Sequence, residues 1–346
     1  MTSETVTRAR LRWTLLLALA GVIALVWGAA TALGLDSSTT PSTQTVKTGV
    51  VTVNVRFATG GVGAGTGIVL TSSGEVLTNN HVIRGARSIR VTVPSTGRTY
   101  SATVEGYSVV RDVALLDLQD AQGLSTAALG DSSDVRLGDS IVTVGNAGGT
   151  GALTVKSGSI VRLNRSITVR DEDGTPARLS GLIETTAPLR PGDSGGPLLL
   201  DGEVVGMDAA ASSTLAYRVT GGEGYAIPID TVLRIARQIK AGHRTSNVHV
   251  GPTAFLGVSL ADTDGFESNA TGAAVQGVSQ GSPAAQAGLG SGDVITSVAG
   301  RRVRTAAALR ALIVRLTPGQ LVRVIWVDPF SGQTSARIRL ASGPPQ

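Results

Sequence analysis

The sequence predicts a mainly β protein, and three observations support this fold class. Hydrophobic residues make up 42% of the 346 residues, yet aromatic residues make up only 3%. Glycine occurs 45 times, which suits short strands joined by tight turns better than long helices. From residue 49 to about residue 228, short apolar or alternating runs recur between Gly, Ser, Asn or Asp residues. We therefore expect a β-barrel or sandwich in this region.

The N-terminal end of the sequence predicts a membrane helix. Residues 13–35 carry no charged side chain, and as a helix they would extend about 35 Å, enough to cross a hydrocarbon core of about 30 Å. The arginines within residues 1–12 place that segment in the cytoplasm and the rest of the chain outside. A cleaved signal peptide is the alternative, because Ala30 and Ala32 resemble an A-x-A cleavage site. We favour the uncleaved anchor, since the apolar run is longer than that of a typical signal peptide.

The rest of the chain divides into two predicted domains. Residues 36–48 are rich in Ser, Thr and Pro, which indicates a flexible tether. The β-rich region ends in "IDTVLRIARQIKAGHR", whose apolar residues recur at helical spacing, so we expect residues 49–242 to form one domain closed by an amphipathic helix. Residues 243–252 indicate a linker, and residues 253–342 a second domain of strands with at least one helix.

Composition excludes several kinds of site. The chain has no cysteine, so disulfides and Cys-based zinc sites are impossible. The histidines are His81, His243 and His249, and the last two lie in the predicted linker, so a metal site would need distant carboxylates. We expect neither a metal nor another cofactor. The net charge is +5, but the basic residues are scattered and lack an aromatic platform, so we expect no nucleic-acid partner.

Three separated motifs predict a hydrolytic triad. "LRPGDSGGPLLL" places Ser194 between an acid and two glycines, although alone it also fits a glycine-rich bend. His81 ends the apolar run in "VLTNNHVI", where a histidine without partners would more often be structural. Asp112 begins the apolar strand "DVALLDL". The chain order His, Asp, Ser is that of the triad on chymotrypsin-like barrels and differs from the orders in subtilisins and α/β-hydrolases.

These motifs belong to a longer set that resembles one protease family. The set comprises "GAGTGIVLTSSGEVLTNNHVI", "DVALLDL", "VTVGNAGG", "RPGDSGGPLLL", "GEVVGM" and "GYAIPIDTV". Together these motifs are similar to the HtrA/Deg branch of trypsin-like serine proteases, and "HVGPTAFLGVSL" with the PDZ-like remainder resembles the short actinobacterial PepA-type members. The resemblance covers roughly residues 49–342. It implies a chymotrypsin-like double β-barrel with the active site between the barrels, followed by a PDZ domain.

The resemblance also implies a role for each site residue. Ser194 would attack the peptide carbonyl, His81 would accept and return the proton, and Asp112 would orient the imidazole. His81 and Asp112 would come from the first barrel and Ser194 from the second. The oxyanion hole would consist of the backbone N–H groups of Gly192 and Ser194, with Asp193 contributing backbone to the turn.

Asp193 departs from the family pattern, in which asparagine often precedes the serine. In digestive trypsins an acid at this position pairs with a freshly cut N-terminus. Here either another cation pairs with Asp193, with Arg190 as the candidate, or the turn depends on an activation step. We favour the cation.

Substrate preference is assigned to three residues by their positions in the motifs. Leu189, Ala211 and Ser212 would lie near the S1 pocket, and no acid stands where trypsin has one. This predicts cleavage after small or medium apolar residues, while the alternative is that these residues only pack the second barrel. Residues 164–181 are polar enough to form a mobile loop that relays activation, or a plain solvent loop.

"FLGVSL" resembles the carboxylate-binding loop of HtrA-type PDZ domains. Leu256, Gly257 and Val258 would line this loop, and the domain would bind an extended C-terminus at a sheet edge. The apolar residues could equally belong to a core strand. Because members of this family often form trimers, a homotrimer is one expected assembly.

Two functions follow from these motifs. The first is a membrane-anchored, extracytoplasmic serine endopeptidase of protein quality control. It would cleave unfolded or signalling proteins while its PDZ domain binds the C-termini of substrates or activators. The second is a catalytically idle peptide-binding scaffold or chaperone-like protein with the same fold. The complete set of three triad side chains favours the enzyme.

Overall fold

The computed structural model describes residues 43–57, 60–170, 176–209, 224–262 and 270–346. The predicted cytoplasmic segment and membrane helix, residues 1–12 and 13–35, lie outside these ranges, as does most of the predicted tether. Within the described ranges, no helix is both long enough and apolar enough to span a bilayer. The first helix described is α1 (Thr43–Val46), which leads into the first strand.

The first barrel is a ring of six antiparallel strands. These are β1 (Val50–Phe57), β2 (Val62–Val69), β3 (Glu75–Thr78), β4 (Ala86–Val93), β5 (Arg98–Ser108) and β6 (Val113–Leu118). Their order is β5-β4-β1-β2-β3-β6, and β5 also pairs with β6, which closes the ring. The four-residue helix α2 (Asn80–Ile83) follows β3 directly.

Strand β6 explains why an uninterrupted apolar run occurs next to Asp112. Val113 and Leu115 face a core that also contains residues of the second half of the chain, whereas Ala114 and Leu116 face the interior of the first barrel. Because both faces of the strand are buried, its sequence does not alternate with polar residues. This packing holds the start of β6, and therefore Asp112, in a fixed position.

The second barrel is also closed and antiparallel. Its strands are β7 (Ser140–Gly145), β8 (Thr154–Arg170), β9 (Pro176–Thr185), β10 (Pro197–Leu200), β11 (Glu203–Asp208) and β12 (Gly224–Pro228). They follow the order β10-β11-β12-β9-β8-β7, with β10 paired to β7. The mainly β architecture expected from composition is confirmed.

The interpretation of residues 164–181 as a loop is wrong for the residues that the structure describes. Strand β8 continues to Arg170 and β9 starts at Pro176, so that the two form a long antiparallel ribbon. Ile167 pairs with Leu179, and both side chains are buried. Because most residues of this segment are polar, the apolar pair was not recognised in the sequence. Ile167 and Leu179 lie on one face of the ribbon and pack into the core.

Helix α3 (Ile229–Lys240) confirms the predicted amphipathic helix. Its buried residues are Ile229, Val232, Ile235, Ala236 and Ile239. They belong to the same core as Val113 and Leu115 of β6, together with residues from the second barrel. The helix thus closes the shared core of the two barrels.

The remaining residues form a C-terminal unit, here residues 253–346. Its strands are β14 (Thr253–Phe255), β15 (Val258–Asp262), β16 (Ala273–Val278), β17 (Val294–Val298), β18 (Arg301–Arg302), β19 (Leu321–Asp328), β20 (Gly332–Arg339) and β21 (Ala341–Gly343). Helices α4 (Pro283–Gln286) and α5 (Ala306–Ile313) accompany them. The main sheet has the order β15-β16-β17-β19-β20, which leaves β15 at an edge.

The segment between the second barrel and the C-terminal unit is partly built into the first barrel. Within residues 243–252, His249–Val250 form strand β13, which pairs with β5. The buried His249 ring lies 4.8 Å from the Tyr107 ring, centroid to centroid, and its Nδ1 lies 3.0 Å from the carbonyl oxygen of Val314. This histidine therefore contacts both the first barrel and the C-terminal unit.

Candidate active site

His81 and Asp112 contact each other twice. His81 Nδ1 lies 2.7 Å from Asp112 Oδ2, and the main-chain N–H of His81 donates to Asp112 Oδ1 at 2.9 Å. The Asp112 side chain is 9% exposed and the His81 side chain 33% exposed. A carboxylate that binds both the ring and the backbone fixes the imidazole in position and in orientation. The structure therefore brings together two of the three predicted triad residues.

The backbone of Asp112 adopts a left-handed conformation that few residues accept. Its φ is 55°, a region in which Asp and Asn are enriched among non-glycine residues. Asn79 Nδ2 donates to the Asp112 carbonyl oxygen at 2.9 Å, and Asn79 is fully buried. Asn79 thus supports the site although it was not singled out from the sequence. Its position as a polar residue at the end of a buried apolar strand is the signal that could have identified it.

Ser194 lies in the loop between β9 and β10. The main-chain N–H of Thr66 donates to the Ser194 carbonyl oxygen at 2.8 Å. A Cβ atom built on Gly65 would lie 2.6 Å from the Val82 side chain and 3.2 Å from the same Ser194 oxygen. Because Val82 directly follows His81, the helix from the first barrel and the serine loop from the second barrel border one glycine.

The residues before Ser194 form a tight turn. The Asp193 N–H donates to the Arg190 carbonyl oxygen at 3.0 Å, with Pro191 in the second position and Gly192 in the third at φ 97°. Proline followed by a residue with positive φ is the pattern of a type II turn. A Cβ on Gly192 would lie 2.1 Å from the Asn146 carbonyl oxygen, so this position accepts only glycine.

Three hydrogen bonds fix three successive peptide planes of this loop. In each bond a main-chain carbonyl oxygen of the loop is the acceptor. The Gly148 N–H donates to Pro191 O at 2.7 Å, and Thr66 Oγ1 donates to Gly192 O at 2.6 Å. The Gly196 N–H donates to Asp193 O at 2.9 Å. In a planar peptide the carbonyl fixes the direction of the next N–H. The N–H directions of residues 192, 193 and 194 are therefore set.

Of these donors, the Gly192 N–H expected in the oxyanion hole differs from the Asp193 N–H. The Asp193 N–H is engaged by Arg190, whereas the Gly192 N–H has no acceptor within the described residues. Thr66 also accepts the Asn146 N–H at 2.9 Å, and both residues are fully buried. Thr66 and Asn146 were not predicted from the sequence, because nothing local distinguishes them from other polar residues in or next to strands.

The cation that pairs with Asp193 is Lys156, and the expectation of Arg190 is wrong. Lys156 Nζ forms an ion pair with Asp193 Oδ2. Arg190 contributes only its main-chain N–H, which donates to the same oxygen at 2.7 Å. Lys156 lies on β8, far from the turn in sequence, and only the closure of the barrel brings it beneath Asp193.

A second acid, Asp208, lies buried beside this ion pair. Its main chain holds the loop, because the Gly195 N–H donates to Asp208 O at 2.8 Å and the Asp208 N–H donates to Gly196 O at 2.7 Å. Neither carboxyl oxygen of Asp208 has a hydrogen-bond partner among the described residues. Burial, followed by the nearby charge of Asp193, raises the pKa of Asp208 well above its ordinary value, while Lys156 opposes this.

The residues assigned to substrate preference are only partly described. Leu189 is half-buried, and a Cβ on Gly224 would lie 2.8 Å from its Cγ atom. Leu189 thus packs against the start of β12. Ala211 and Ser212 lie outside the described residues.

The predicted PDZ loop joins β14 to β15. Leu256 is buried in the core of the C-terminal unit, and Val258 begins β15. Gly257 has φ 90°, and a Cβ there would lie 2.1 Å from the Cβ of Ser282. Ser282 Oγ donates to the Gly257 carbonyl oxygen at 3.3 Å. Leu256 therefore packs as a core residue, while Gly257 makes the turn between the strands.

The described residues contain no cluster of metal-ligating side chains. No group of three or more His, Cys, Asp or Glu side chains in those ranges has a geometry that could hold a metal ion. Both ring nitrogens of His249 face backbone carbonyl oxygens, those of Val314 and Gly251.

Comparison with known proteins identifies two domain families in the chain. A trypsin-like peptidase domain matches residues 65–207 and a PDZ domain matches residues 254–325. The serine protease PepD of Mycobacterium tuberculosis is 33% identical over 290 residues, which cover 80% of this chain and 60% of PepD. HhoB of Synechocystis is 34% identical over 291 residues, which cover 82% of this chain and 67% of HhoB. The periplasmic pH-dependent serine endoprotease DegQ of Escherichia coli is 34% identical over 270 residues, which cover 76% of this chain and 56% of DegQ.

The chain thus spans between 56% and 67% of the length of these relatives. The two matched domains lie in the double barrel and in the C-terminal unit. The chain therefore belongs to the HtrA/Deg family of trypsin-like serine proteases that carry a PDZ domain.

Proposed function

We propose that this protein is an extracytoplasmic serine endopeptidase whose catalytic triad consists of His81, Asp112 and Ser194. The observation that carries the proposal is the double contact of Asp112 with the ring and the main chain of His81. A carboxylate at Nδ1 selects the imidazole tautomer with its proton on Nδ1 and its lone pair on Nε2. That tautomer is the one that a general base requires.

The reaction would proceed through an acyl-enzyme. Ser194 Oγ attacks the carbonyl carbon of the substrate while His81 Nε2 takes the hydroxyl proton, and the carbonyl oxygen becomes an oxyanion. Collapse of this tetrahedral intermediate breaks the C–N bond, and His81 returns its proton to the leaving amine. Water then attacks the ester with His81 as base again, which releases the acid product and restores Ser194.

The oxyanion would be stabilised by the main-chain N–H groups of Gly192 and Ser194. Asp193 would contribute backbone to the turn without donating, because its own N–H is engaged by Arg190. Donors fixed before the substrate arrives need no reorganisation during the reaction, and one such donor contributes about 3–4 kcal/mol to transition-state binding. The fixed peptide planes of the loop support this role.

Substrate selection would depend on Leu189, Ala211 and Ser212. A pocket lined by these residues would favour cleavage after small or medium apolar side chains, because it offers no acid to a basic side chain. Mass spectrometry of peptide libraries after digestion would measure this preference. Cleavage mainly after Lys or Arg would contradict the assignment.

The PDZ domain would bind the C-termini of substrates or activators. Strand β15 lies at the edge of its sheet, so an extended peptide could add to it through main-chain hydrogen bonds. Leu256, Gly257 and Val258 would receive the carboxylate through their backbone amides. Residues 49–242 would form the protease domain and residues 253–342 the PDZ domain.

Location and assembly complete the proposal. Residues 13–35 would anchor the chain in the membrane, with residues 1–12 in the cytoplasm and the protease domain outside. The name of DegQ as a periplasmic enzyme supports an extracytoplasmic site of action. Unfolded or signalling proteins would be the substrates, and a homotrimer is the assembly that we propose.

Labelling with a fluorophosphonate probe tests the catalytic proposal. We expect the wild-type protein to be labelled at Ser194, identified by mass spectrometry of the modified peptide, and the Ser194→Ala variant to remain unlabelled. Ser95→Ala, in the exposed turn between β4 and β5, is the control and should be labelled like the wild type. A folded wild-type protein that is not labelled would favour the alternative of an idle peptide-binding scaffold.

A further inference from the structure

The ion pair between Lys156 and Asp193 lies beneath the turn that precedes Ser194. Asp193 is 1% exposed and the Lys156 side chain 14% exposed. Asp193 Oδ2 forms an ion pair with the Lys156 ammonium group, and it also accepts a hydrogen bond from the Arg190 N–H at 2.7 Å. Asp193 Oδ2 thus links Lys156, on strand β8 of the second barrel, to Arg190, the first residue of the turn.

The carboxylate has little room to take another position. A Cβ built on Gly145 would lie 2.4 Å from Asp193 Oδ1 and 2.7 Å from Asp193 Cα, so the side chain lies directly against β7. Asp193 Oδ1 has no hydrogen-bond partner among the described residues. The polar contacts that hold the Asp193 side chain are therefore those of Oδ2. One is the hydrogen bond from the Arg190 N–H, and the other is the ion pair with Lys156.

Asp193 occupies a central place in the loop. Its N–H belongs to the peptide plane that Thr66 fixes through Gly192 O, and its carbonyl belongs to the plane that carries the Ser194 N–H. Movement of the Asp193 side chain would therefore disturb both planes, and through its hydrogen bond from the Arg190 N–H it would also shift the turn that contains Gly192. An unpaired carboxylate in this buried position would move toward water, because an isolated charge is strongly unfavourable in the protein interior.

Asp208 determines how the positive charge of Lys156 is shared. The charged groups that face it are Asp193 from the loop and Lys156 from β8. Asp208 is fully buried, and its carboxyl group accepts no hydrogen bond from the described residues. A negative charge on this carboxyl group would therefore lack a hydrogen-bond donor. As a neutral acid it leaves the ammonium group of Lys156 to Asp193.

We propose that Lys156 is a positioning residue for the protease reaction: its ammonium group holds Asp193 and thereby keeps the N–H groups of Gly192 and Ser194 directed at the oxyanion. The inference rests on the proposed function, since it concerns the same catalytic loop. A cation within the barrel also leaves no need for an activation cleavage to supply one.

The test is a steady-state comparison of Lys156→Met with the wild-type protein on a peptide substrate. We expect kcat to fall about 100-fold or more, the loss typical of one oxyanion donor, while KM changes less than about threefold. Lys156→Arg, which keeps the charge, should retain kcat within about tenfold. Lys240→Met, which removes the exposed ion pair with Glu75, is the matched control and should leave kcat unchanged.

A double-mutant cycle separates positioning from general stability. Asp193→Asn removes the charge that Lys156 holds but keeps the shape, so adding Lys156→Met to Asp193→Asn should change kcat less than about threefold. A double variant that is tenfold slower than Asp193→Asn alone would overturn the proposal, and so would an unchanged kcat in folded Lys156→Met. This comparison remains decisive if the single Lys156→Met variant does not fold.

Failure of the proposed function is distinguishable from failure of this inference. A wild-type protein that the fluorophosphonate probe does not label at Ser194 would overturn both. A labelled wild-type protein whose Lys156→Met variant is labelled at the same rate would overturn only the role of Lys156.

Discussion

Thr66 Oγ1 donates to the carbonyl oxygen of Gly192 at 2.6 Å and so connects the first barrel to the turn of the second. The same hydroxyl accepts the Asn146 N–H at 2.9 Å. One buried side chain thus holds two loops that come from distant parts of the sequence. The catalytic loop depends on the docking of the two barrels as well as on its own residues.

Thr66→Val should reduce kcat about 10- to 100-fold with little change in KM. Valine has nearly the same shape but leaves the Gly192 carbonyl and the Asn146 N–H without partners, and each buried unsatisfied group destabilises by about 1–3 kcal/mol. Steady-state kinetics at a temperature where the variant is folded would measure the effect. Thr99→Val, at an exposed site on the same barrel, is the control and should behave as wild type. Equal kinetics for both variants would argue against coupling through Thr66.

Asp112→Asn should lower kcat by about 10⁴-fold while the protein stays folded. The amide keeps the size of the side chain, but it places an N–H group toward His81 Nδ1 and so favours the wrong imidazole tautomer. Activity on a peptide substrate and circular dichroism of the same sample would measure both effects. Asp117→Asn, on the same strand, should retain activity. A loss smaller than tenfold in Asp112→Asn would be incompatible with its proposed role.

Gly192→Ala should abolish most activity, with a loss in kcat of about 10²- to 10³-fold. The added Cβ would lie 2.1 Å from the Asn146 carbonyl oxygen, so the turn must move. Gly138→Ala provides a matched control, because Gly138 also has positive φ, at 89°, but a Cβ there would meet no atom within 4 Å. Both variants share the backbone strain, and only Gly192→Ala should lose activity in kinetic assays. Similar losses in both would indicate strain rather than displacement of the turn.

Local patterns in the sequence predicted the elements that depend on nearby residues. The apolar spacing from Ile229 to Ile239 gave helix α3, because a helix face is set within one segment. The motifs around His81, Asp112 and Ser194 likewise identified the pair that the structure joins and the loop that lies beside it. These features carry their information in residues that are adjacent or regularly spaced.

The supporting residues could not be predicted because their partners are brought together only by barrel closure. Lys156 appears in the sequence as a polar residue on a strand, and nothing local shows that its ammonium group reaches Asp193. Asp208 ends a strand, where an acid usually reaches solvent, yet it is fully buried here. Arg190 was a reasonable candidate by proximity, but its side chain is not the one that pairs with Asp193.

Asp208→Asn should stabilise the protein increasingly as the pH rises. The native pKa of Asp208 is raised above the ordinary value of 3.8 by burial, so the unfolded chain loses this proton more readily than the native protein does. Wild-type stability therefore falls as the pH rises from about 3.8 toward the native pKa. Asparagine has no proton to lose, and the difference in Tm between variant and wild type should grow as the pH rises from about 3.8 toward the native pKa of Asp208.

Thermal unfolding at several pH values would measure this difference. Asp134→Asn, at an exposed acid, is the control and should give a curve parallel to that of the wild type. If Asp208→Asn also followed the wild-type curve at a constant offset, Asp208 would be charged in the native protein. The single ammonium of Lys156 would then be shared between two carboxylates.

Acidification should loosen the contact of the C-terminal unit with the first barrel through His249. Its Nδ1 lies 3.0 Å from Val314 O and its Nε2 lies 2.9 Å from Gly251 O. Burial and the charge of Arg244 lower its pKa below the ordinary value of 6.5, although the carbonyl contacts oppose this shift. An undocked histidine would therefore bind a proton more readily than the docked one, so docking is strongest above about pH 6.5 and weakens as the pH falls through the lowered pKa.

Hydrogen exchange of the Gly251 amide, which donates to Glu105 O at 2.7 Å, reports this docking directly. After correction for the intrinsic rate, its protection should decrease between about pH 7.5 and about pH 5 in the wild-type protein. The decrease should persist in His243→Gln, since His243 is exposed, and disappear in His249→Gln. A pH dependence that survives in His249→Gln would assign the effect to another group. Its loss there alone would show that one buried imidazole links the C-terminal unit to the barrel that carries His81 and Asp112.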